Sequence, residues 1–253
     1  MHRMNIPPDG VLLLVGVEGL LVTDTDLVQH AARAATRTVT GRDPGDLGPR
    51  AGRTCWDVAI TALTATGRTP QEAHVLVPEH LAACYRELRE EAIAAHPTFD
   101  PLPGAGDFLA RARHAGATVG LCTGLSYQLA LNLLSRTGLD EHVDWRVSAF
   151  GDDQPDRAQL IELARHRAGN GTHPRPADRT IVVSSHARGI HAARAAGVPA
   201  VVVTDARSLH MSLADLHLAD LTDHAVIDQV LTLGRIGSGG VHDHDTLTTR
   251  ARP

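Results

Sequence analysis

The chain has 253 residues, 43% of them hydrophobic, and a formal net charge of -5, which suits one sizeable core plus a smaller insertion. Positive and negative residues are mixed along it with no basic patch, so nucleic acid is not an expected partner, and no apolar run is long enough to span a bilayer. The three cysteines, Cys55, Cys84 and Cys122, are widely spaced without a metal-ligand pattern and read as reduced thiols, and residues 1–10 lack a secretory n-region with a cleavage site, so the expectation is a cytoplasmic protein without a membrane partner.

All 24 basic residues are arginines. With no lysine, neither a side-chain Schiff base nor a lysine clamp on a phosphate can be built, and the bias reflects a GC-rich genome.

The first element is the apolar run Val11 to Val15, bounded by Pro8-Asp9-Gly10 and by Gly16 and Gly19. It is too short for a core helix and predicts a parallel strand covered on both faces. Thr23-Asp24-Thr25-Asp26 offers N-cap chemistry for a helix to about Val39, with Leu27, Ala31, Ala34 and Ala35 at helical spacing. The loop Gly41 to Arg50 breaks it. Trp56, Ile60 and Leu63 then mark a second helix ending near Gly67, and Thr69-Pro70-Gln71-Glu72 starts a third stretch to about Ala95, with an interruption expected at Pro78.

Pro101-Leu102-Pro103-Gly104 turns into a helix carrying Phe108, Leu109 and Ala112 and stopped at Gly116. The strand Thr118 to Cys122 ends in Thr123-Gly124, and a helix from Leu125 places Leu125, Leu129 and Leu133 on one face up to Gly138. A short strand is expected near Trp145-Arg146-Val147, then a helix from about Asp156, the strand Ile181 to Val183, and a helix with Ile190 and Ala193 ending at Gly197. Strand Ala200 to Val203 and a helix Ala225 to Leu233 close the pattern. Strands alternating with helices predict parallel βαβ units in an α/β fold with a doubly wound parallel sheet. Gly234 to Pro253 has no apolar period and reads as a flexible tail.

Several short words in this frame carry a family resemblance. They are Gly52-Arg53-Thr54 before an amphipathic helix, Pro103-Gly104, the strand-end Thr123-Gly124, Phe150-Gly151-x-Asp153-x-x-Asp156-Arg157, and Ala192-Ala193-x-Ala195-Ala196-Gly197-Val198-Pro199. Together they resemble the phosphatase-type proteins of the haloacid dehalogenase (HAD) superfamily. The resemblance implies a HAD-like, Rossmannoid core domain in residues 1–21 and 97–235, an inserted all-helical cap domain in 22–96, and the tail in 236–253.

The family's first motif reads Asp-x-Asp-Gly-Thr; the matching positions here hold Gly16, Val17, Glu18, Gly19 and Leu20. A glycine thus stands where the family has its nucleophile, and only Glu18 keeps a carboxylate. Thr123 matches the second-motif hydroxyl that, with the backbone N–H of Gly124, holds a phosphoryl oxygen; the plainer reading is an N-cap for the helix from Leu125. Arg157 matches the third-motif cation, its plainer reading being a surface partner of Asp153 or Asp156. In place of the fourth motif's Mg²⁺-binding acids stand Ser184, Ser185, His186 and Gly189. Hydroxyls without carboxylates suit Mg²⁺ poorly, so no metal and no cofactor are expected.

Two readings of the cleft stay open. One is a repurposed small-molecule site running metal-independent acid/base chemistry in a bacterial biosynthetic pathway. Its catalytic residues would be Glu18 and His186, with Thr123, Gly124, Arg157, Ser185, Arg53 and Cys55 binding a small, anionic ligand. The alternative is a non-catalytic pseudoenzyme that binds a ligand or a partner protein. An apolar face around Trp56 could support a homodimer.

Overall fold

A computed structural model describes residues 10–23, 27–95, 100–169, 173–204, 213–223 and 225–234, with the side chains of 90–95 left out. The turn residues Pro8 and Asp9, the capping residues Asp24 to Asp26 and the tail 236–253 lie outside the described residues.

Strand β1, Leu12–Val15, is central in a five-stranded parallel sheet with β2, Thr118–Leu121, on one side and β3, Thr180–Ser184, on the other; β4, Ala200–Val203, and β5, Leu216–Leu218, follow in the order β2-β1-β3-β4-β5. All four β1 side chains are fully buried because both faces of the sheet are covered. Leu12 and Leu14 point into a cluster with Leu160, Ile161 and Ala164 of helix α6, Arg157–Arg167, and Ile190 and Ala193 of helix α7, Ala187–Ala195. Leu13 and Val15 point the other way, into a larger cluster with helices α4, Ala105–His114, α5, Tyr127–Thr137, and α8, Val226–Leu233. The period of two along the strand therefore feeds two apolar layers at once.

Between β1 and α4 lie three helices, α1, Leu27–Thr40, α2, Cys55–Ala65, and α3, Pro70–Ala95. They pack on one another, with Ala59, Leu63, Ala73 and Val77 forming a small buried cluster against which Trp56 and Ile60 rest. Thr54 caps α2 by accepting from the N–H of Asp57 at 3.0 Å. Before α3, Thr69 and Glu72 form a reciprocal capping box, Glu72 Oε2 accepting from Thr69 N at 2.8 Å, with Pro70 at the first helical position.

Four sequence expectations need correction. Helix α3 continues through Pro78. The faces before and after it, Ala73 and Val77 on one side and Ala83, Cys84 and Leu88 on the other, are buried in two clusters, and that packing offsets the lost hydrogen bond and ring clash of a mid-helix proline, which cost about 3 kcal/mol or more. The expected strand at Trp145–Val147 is a 3₁₀ turn. Asp144 draws the chain into the turn by accepting from Arg146 N at 3.1 Å, and Ser148 Oγ, accepting from Leu121 N at 2.9 Å, substitutes for a strand carbonyl along the edge of β2. Helix α5 starts at Tyr127 behind the cap Ser126 rather than at Leu125. Strand β5 was not expected; three residues give too short a pattern to register.

Candidate functional site

The loops leaving β1, β2 and β3 meet over the carboxyl ends of these strands, where open α/β sheets bind their ligands. Gly16 to Glu18 come from the first, Thr123 and Gly124 from the second, and Ser185 and His186, with Ser184 at the end of β3, from the third; Gly52 and Arg53 of the insertion and Arg157 at the start of α6 close the ring. The free space between them is about 10 Å³, about the room one water molecule needs.

The turn after β1 is compact. Val17 O accepts from the N–H groups of Leu20, Leu21 and Val22, and Gly19 N donates to Val22 O at 2.8 Å, so Glu18 is held at a fixed height above β1. Its carboxylate receives both terminal nitrogens of Arg50, Nη1 to Oε2 at 2.6 Å and Nη2 to Oε1. The two side chains are 8% and 11% exposed, so this is a buried, bidentate pair rather than a surface one. Nothing in the sequence singled out Arg50. It stands at the end of a Gly-rich loop, 32 residues from its partner, and the only signal available was that a buried carboxylate needs a cation.

Arg157 does not pair with Asp153 or Asp156. Asp153 is taken by Arg167, with two bonds of 2.9 Å, and Asp156 caps α6 by accepting from Ala158 N. Arg157 instead turns inward, donating from Nη1 to Gly52 O at 3.1 Å and from Nη2 to Cys122 O at 3.2 Å, while its Nε is enclosed without a partner. Burial lowers its pKa below the usual guanidinium range. Arg53 lines the cleft with its backbone, and its guanidinium reaches Asp57, Leu47 O and Thr61.

Thr123 is buried and its Oγ1 accepts from Leu125 N at 3.2 Å, but the cap of α5 is Ser126. Ser185 Oγ donates to Glu18 O at 3.1 Å, tying the third loop to the first. His186 stands at the N-cap position of α7 and makes no side-chain capping bond. Cys55 is not among the cleft-lining residues. Its backbone N donates to Gly124 O at 2.8 Å, and burial drives its thiol pKa well up. Cys122 is likewise pushed up to about 11 by burial, which leaves it a poor nucleophile.

The insertion is joined to the core along a seam of backbone contacts at this cleft. Besides the Cys55 bond, Trp56 N donates to Gly151 O at 3.1 Å and Thr54 Oγ1 to Pro155 O at 2.9 Å. Two glycines make the approach possible. A Cβ on Gly124 would lie 2.0 Å from Arg53 O, and one on Gly151 1.9 Å from Gly124 O. Gly16 and Gly189 differ sharply. A Cβ on Gly189 would fall 2.2 Å from Ser184 Oγ, whereas one on Gly16 would meet nothing nearer than 3.6 Å. Among the described residues no three His, Cys, Asp or Glu side chains come together.

No protein-family model matches the sequence, and no curated protein does. Solved structures do match in shape. CbbY from Rhodobacter sphaeroides in complex with phosphate is 19% identical, covers 86% of this chain and 98% of its own, and superposes with a TM-score of 0.62. The β-phosphoglucomutase of Clostridium difficile is 15% identical over 90% of this chain and 99% of its own, TM-score 0.63. A family IA HAD hydrolase from Entamoeba histolytica is 14% identical over 89% and 99%, TM-score 0.62. A mutant of the Rhodobacter protein was solved with xylulose-(1,5)bisphosphate. At such identities the likeness is one of fold, and the sheet, its helices and its position in the order of elements give this chain the HAD-like hydrolase fold.

Proposed function

We propose that this protein has given up metal-assisted phosphoryl transfer and uses the cleft to bind a small anionic molecule. The observation that carries the reading is the Glu18–Arg50 pair. Phosphoryl transfer in this fold needs an attacking carboxylate and a charge-neutralising cation at the strand ends. Gly16 supplies no carboxylate, and Glu18 is already matched by a guanidinium.

The donor set does not fit Mg²⁺ either. That ion wants hard oxygen ligands in a near-ideal octahedron. Ser184 and Ser185 offer hydroxyls engaged with backbone groups, and Gly189 cannot regain an acid without displacing Ser184. Two arginines, Arg53 and Arg157, line the cleft, and positive charge there suits an anion. That phosphate and a sugar bisphosphate bind to the Rhodobacter protein of the same fold is in keeping with an anion as ligand here. In this reading residues 1–21 and 97–235 form the core domain and 22–96 a cap that meets it at the cleft.

A second reading has one observation in its favour: Glu18 and His186 line the same cleft, so an opened form would carry a carboxylate and an imidazole for acid/base chemistry. One set of assays separates the two. Phosphatase turnover measured with and without Mg²⁺ is expected to stay at background in both. Metal-free turnover of any candidate substrate that disappears in Glu18→Gln would favour the second reading, and robust Mg²⁺-dependent phosphatase activity would sink both.

A further inference from the structure

Two arginines line the cleft, Arg53 and Arg157, and another, Arg50, reaches it through the lining residue Glu18; these three are not equally available to a ligand. Arg157 satisfies two backbone carbonyls, and Arg53 satisfies a carboxylate, two carbonyls and a hydroxyl within the insertion. Drawing either toward a ligand would break these bonds, which is costly. Arg50 is different: both of its terminal nitrogens face one carboxylate. An arriving oxyanion that took the place of that carboxylate would leave the guanidinium as well paired as before.

We infer that Arg50 is the anchor for a small oxyanion in this cleft and that Glu18 is its resident competitor, which the ligand must displace. The inference rests on the anion-binding reading and adds to it the anchoring residue, the ligand class and the contact that breaks on binding. Two further observations bear on it. The free space holds about one water, and Glu18 is the anionic group that already lines it. The pair also spans the seam, Glu18 belonging to the turn after β1 and Arg50 to the loop that precedes α2, so displacing the carboxylate removes one tie between insertion and core at the moment the ligand arrives.

The test is calorimetric titration of the full chain with inorganic phosphate, first in chelator and then in Mg²⁺, on the wild type, Glu18→Gln and Arg50→Met. Wild type is expected to bind phosphate with the same affinity in both buffers. Glu18→Gln should bind at least about tenfold tighter, since a competing ion pair worth a factor of this order is removed, and Arg50→Met at least about tenfold more weakly. Melting curves guard against misfolding: phosphate should raise the Tm of Glu18→Gln more than that of wild type, and Glu18→Ser serves if the glutamine variant does not fold. Phosphate binding that is unchanged or weakened in both folded Glu18 variants would overturn the competitor role while leaving the anion-binding reading standing. Absence of binding in every folded form would overturn both.

Discussion

Strand β1 buries Leu12 to Val15 completely between two layers of helices, whereas three residues beyond its end the chain relies on Glu18 and a partner from another part of the fold. Inside the sheet, cohesion is spread over many interchangeable apolar contacts, each weak and none directional. At the cleft it is concentrated in a few polar bonds that join residues far apart in sequence: Glu18 to Arg50, Thr54 to Pro155 and Arg157 to Gly52, the last two separated by 101 and 105 positions. The first kind of region tolerates substitution by shape, and the second fails when one partner goes.

Arg50→Met breaks the second kind outright. It leaves the Glu18 carboxylate buried without its cation, and the expected loss is about 3–5 kcal/mol in chemical denaturation. Replacing both partners, as Arg50→Met with Glu18→Leu, should recover most of it, because a matched apolar pair removes the stranded charge. Leu14→Ala is the counterpart within the sheet. A fully buried leucine facing Leu160 and Ile190 should cost about 3 kcal/mol, with no second-site partner able to restore it. If Arg50→Met costs under about 1 kcal/mol, the pair behaves as a surface bridge and the contrast between the regions fails.

The same difference decides how much could be read from the sequence. The periods of Leu12 to Val15 and of Leu160, Ile161 and Ala164 are local, so the parallel sheet and its flanking helices were legible. The Trp145–Val147 turn was not, because Asp144 and Ser148 replace ladder bonds with side-chain bonds that apolar patterning does not register. At the site, Glu18, Thr123, Arg157, Ser185 and His186 were nameable because motif words surround them, and all five line one cleft. Arg50 had no such word. The inward turn of Arg157 was illegible for a related reason: its acceptors are backbone carbonyls, which every residue possesses.

The seam offers a smaller perturbation. Gly151→Ala would set a methyl 1.9 Å from Gly124 O and 2.8 Å from Cys55 N, contacts that only a backbone shift relieves. An overpacking cost of about 1–3 kcal/mol is expected, accompanied by faster amide exchange at Cys55 and Trp56, whose N–H groups form the seam. A loss of stability with unchanged exchange there would place the strain in the core instead.

Smaller again is a pH effect inside the insertion. His80 is buried, its Nε2 lying 3.1 Å from Ala32 O and 2.9 Å from Thr36 Oγ1, with Nδ1 enclosed and unpartnered. Burial lowers its pKa below 6.5. Below about pH 6.5 the unfolded chain takes up a proton that the folded chain refuses, so stability falls as pH falls, by at most about 1.4 kcal/mol per unit. Denaturation at pH 7.5 and 5.5 should show a shallower decline in His80→Gln than in wild type. Equal slopes would mean that His80 takes up its proton without leaving the helix interface.

The smallest expected effect falls on Gly16, and it bears most on how the cleft came to be as it is. This glycine is outside the left-handed region, and a Cβ there would meet only ordinary contacts, the nearest being Val183 O at 3.6 Å. Gly16→Ala should therefore be neutral or stabilising by up to about 1 kcal/mol, chiefly by narrowing the unfolded ensemble. At Gly189 the same change meets Ser184 Oγ and should destabilise by about 1–3 kcal/mol. If both hold, no steric demand of the fold requires a glycine at the end of β1, whereas Ser184 makes glycine a structural requirement at position 189. Placing an acid at position 16 alone is expected to leave phosphatase turnover at background. A Gly16→Ala variant that loses more than about 1 kcal/mol would reverse the argument and make the glycine at the end of β1 a backbone necessity.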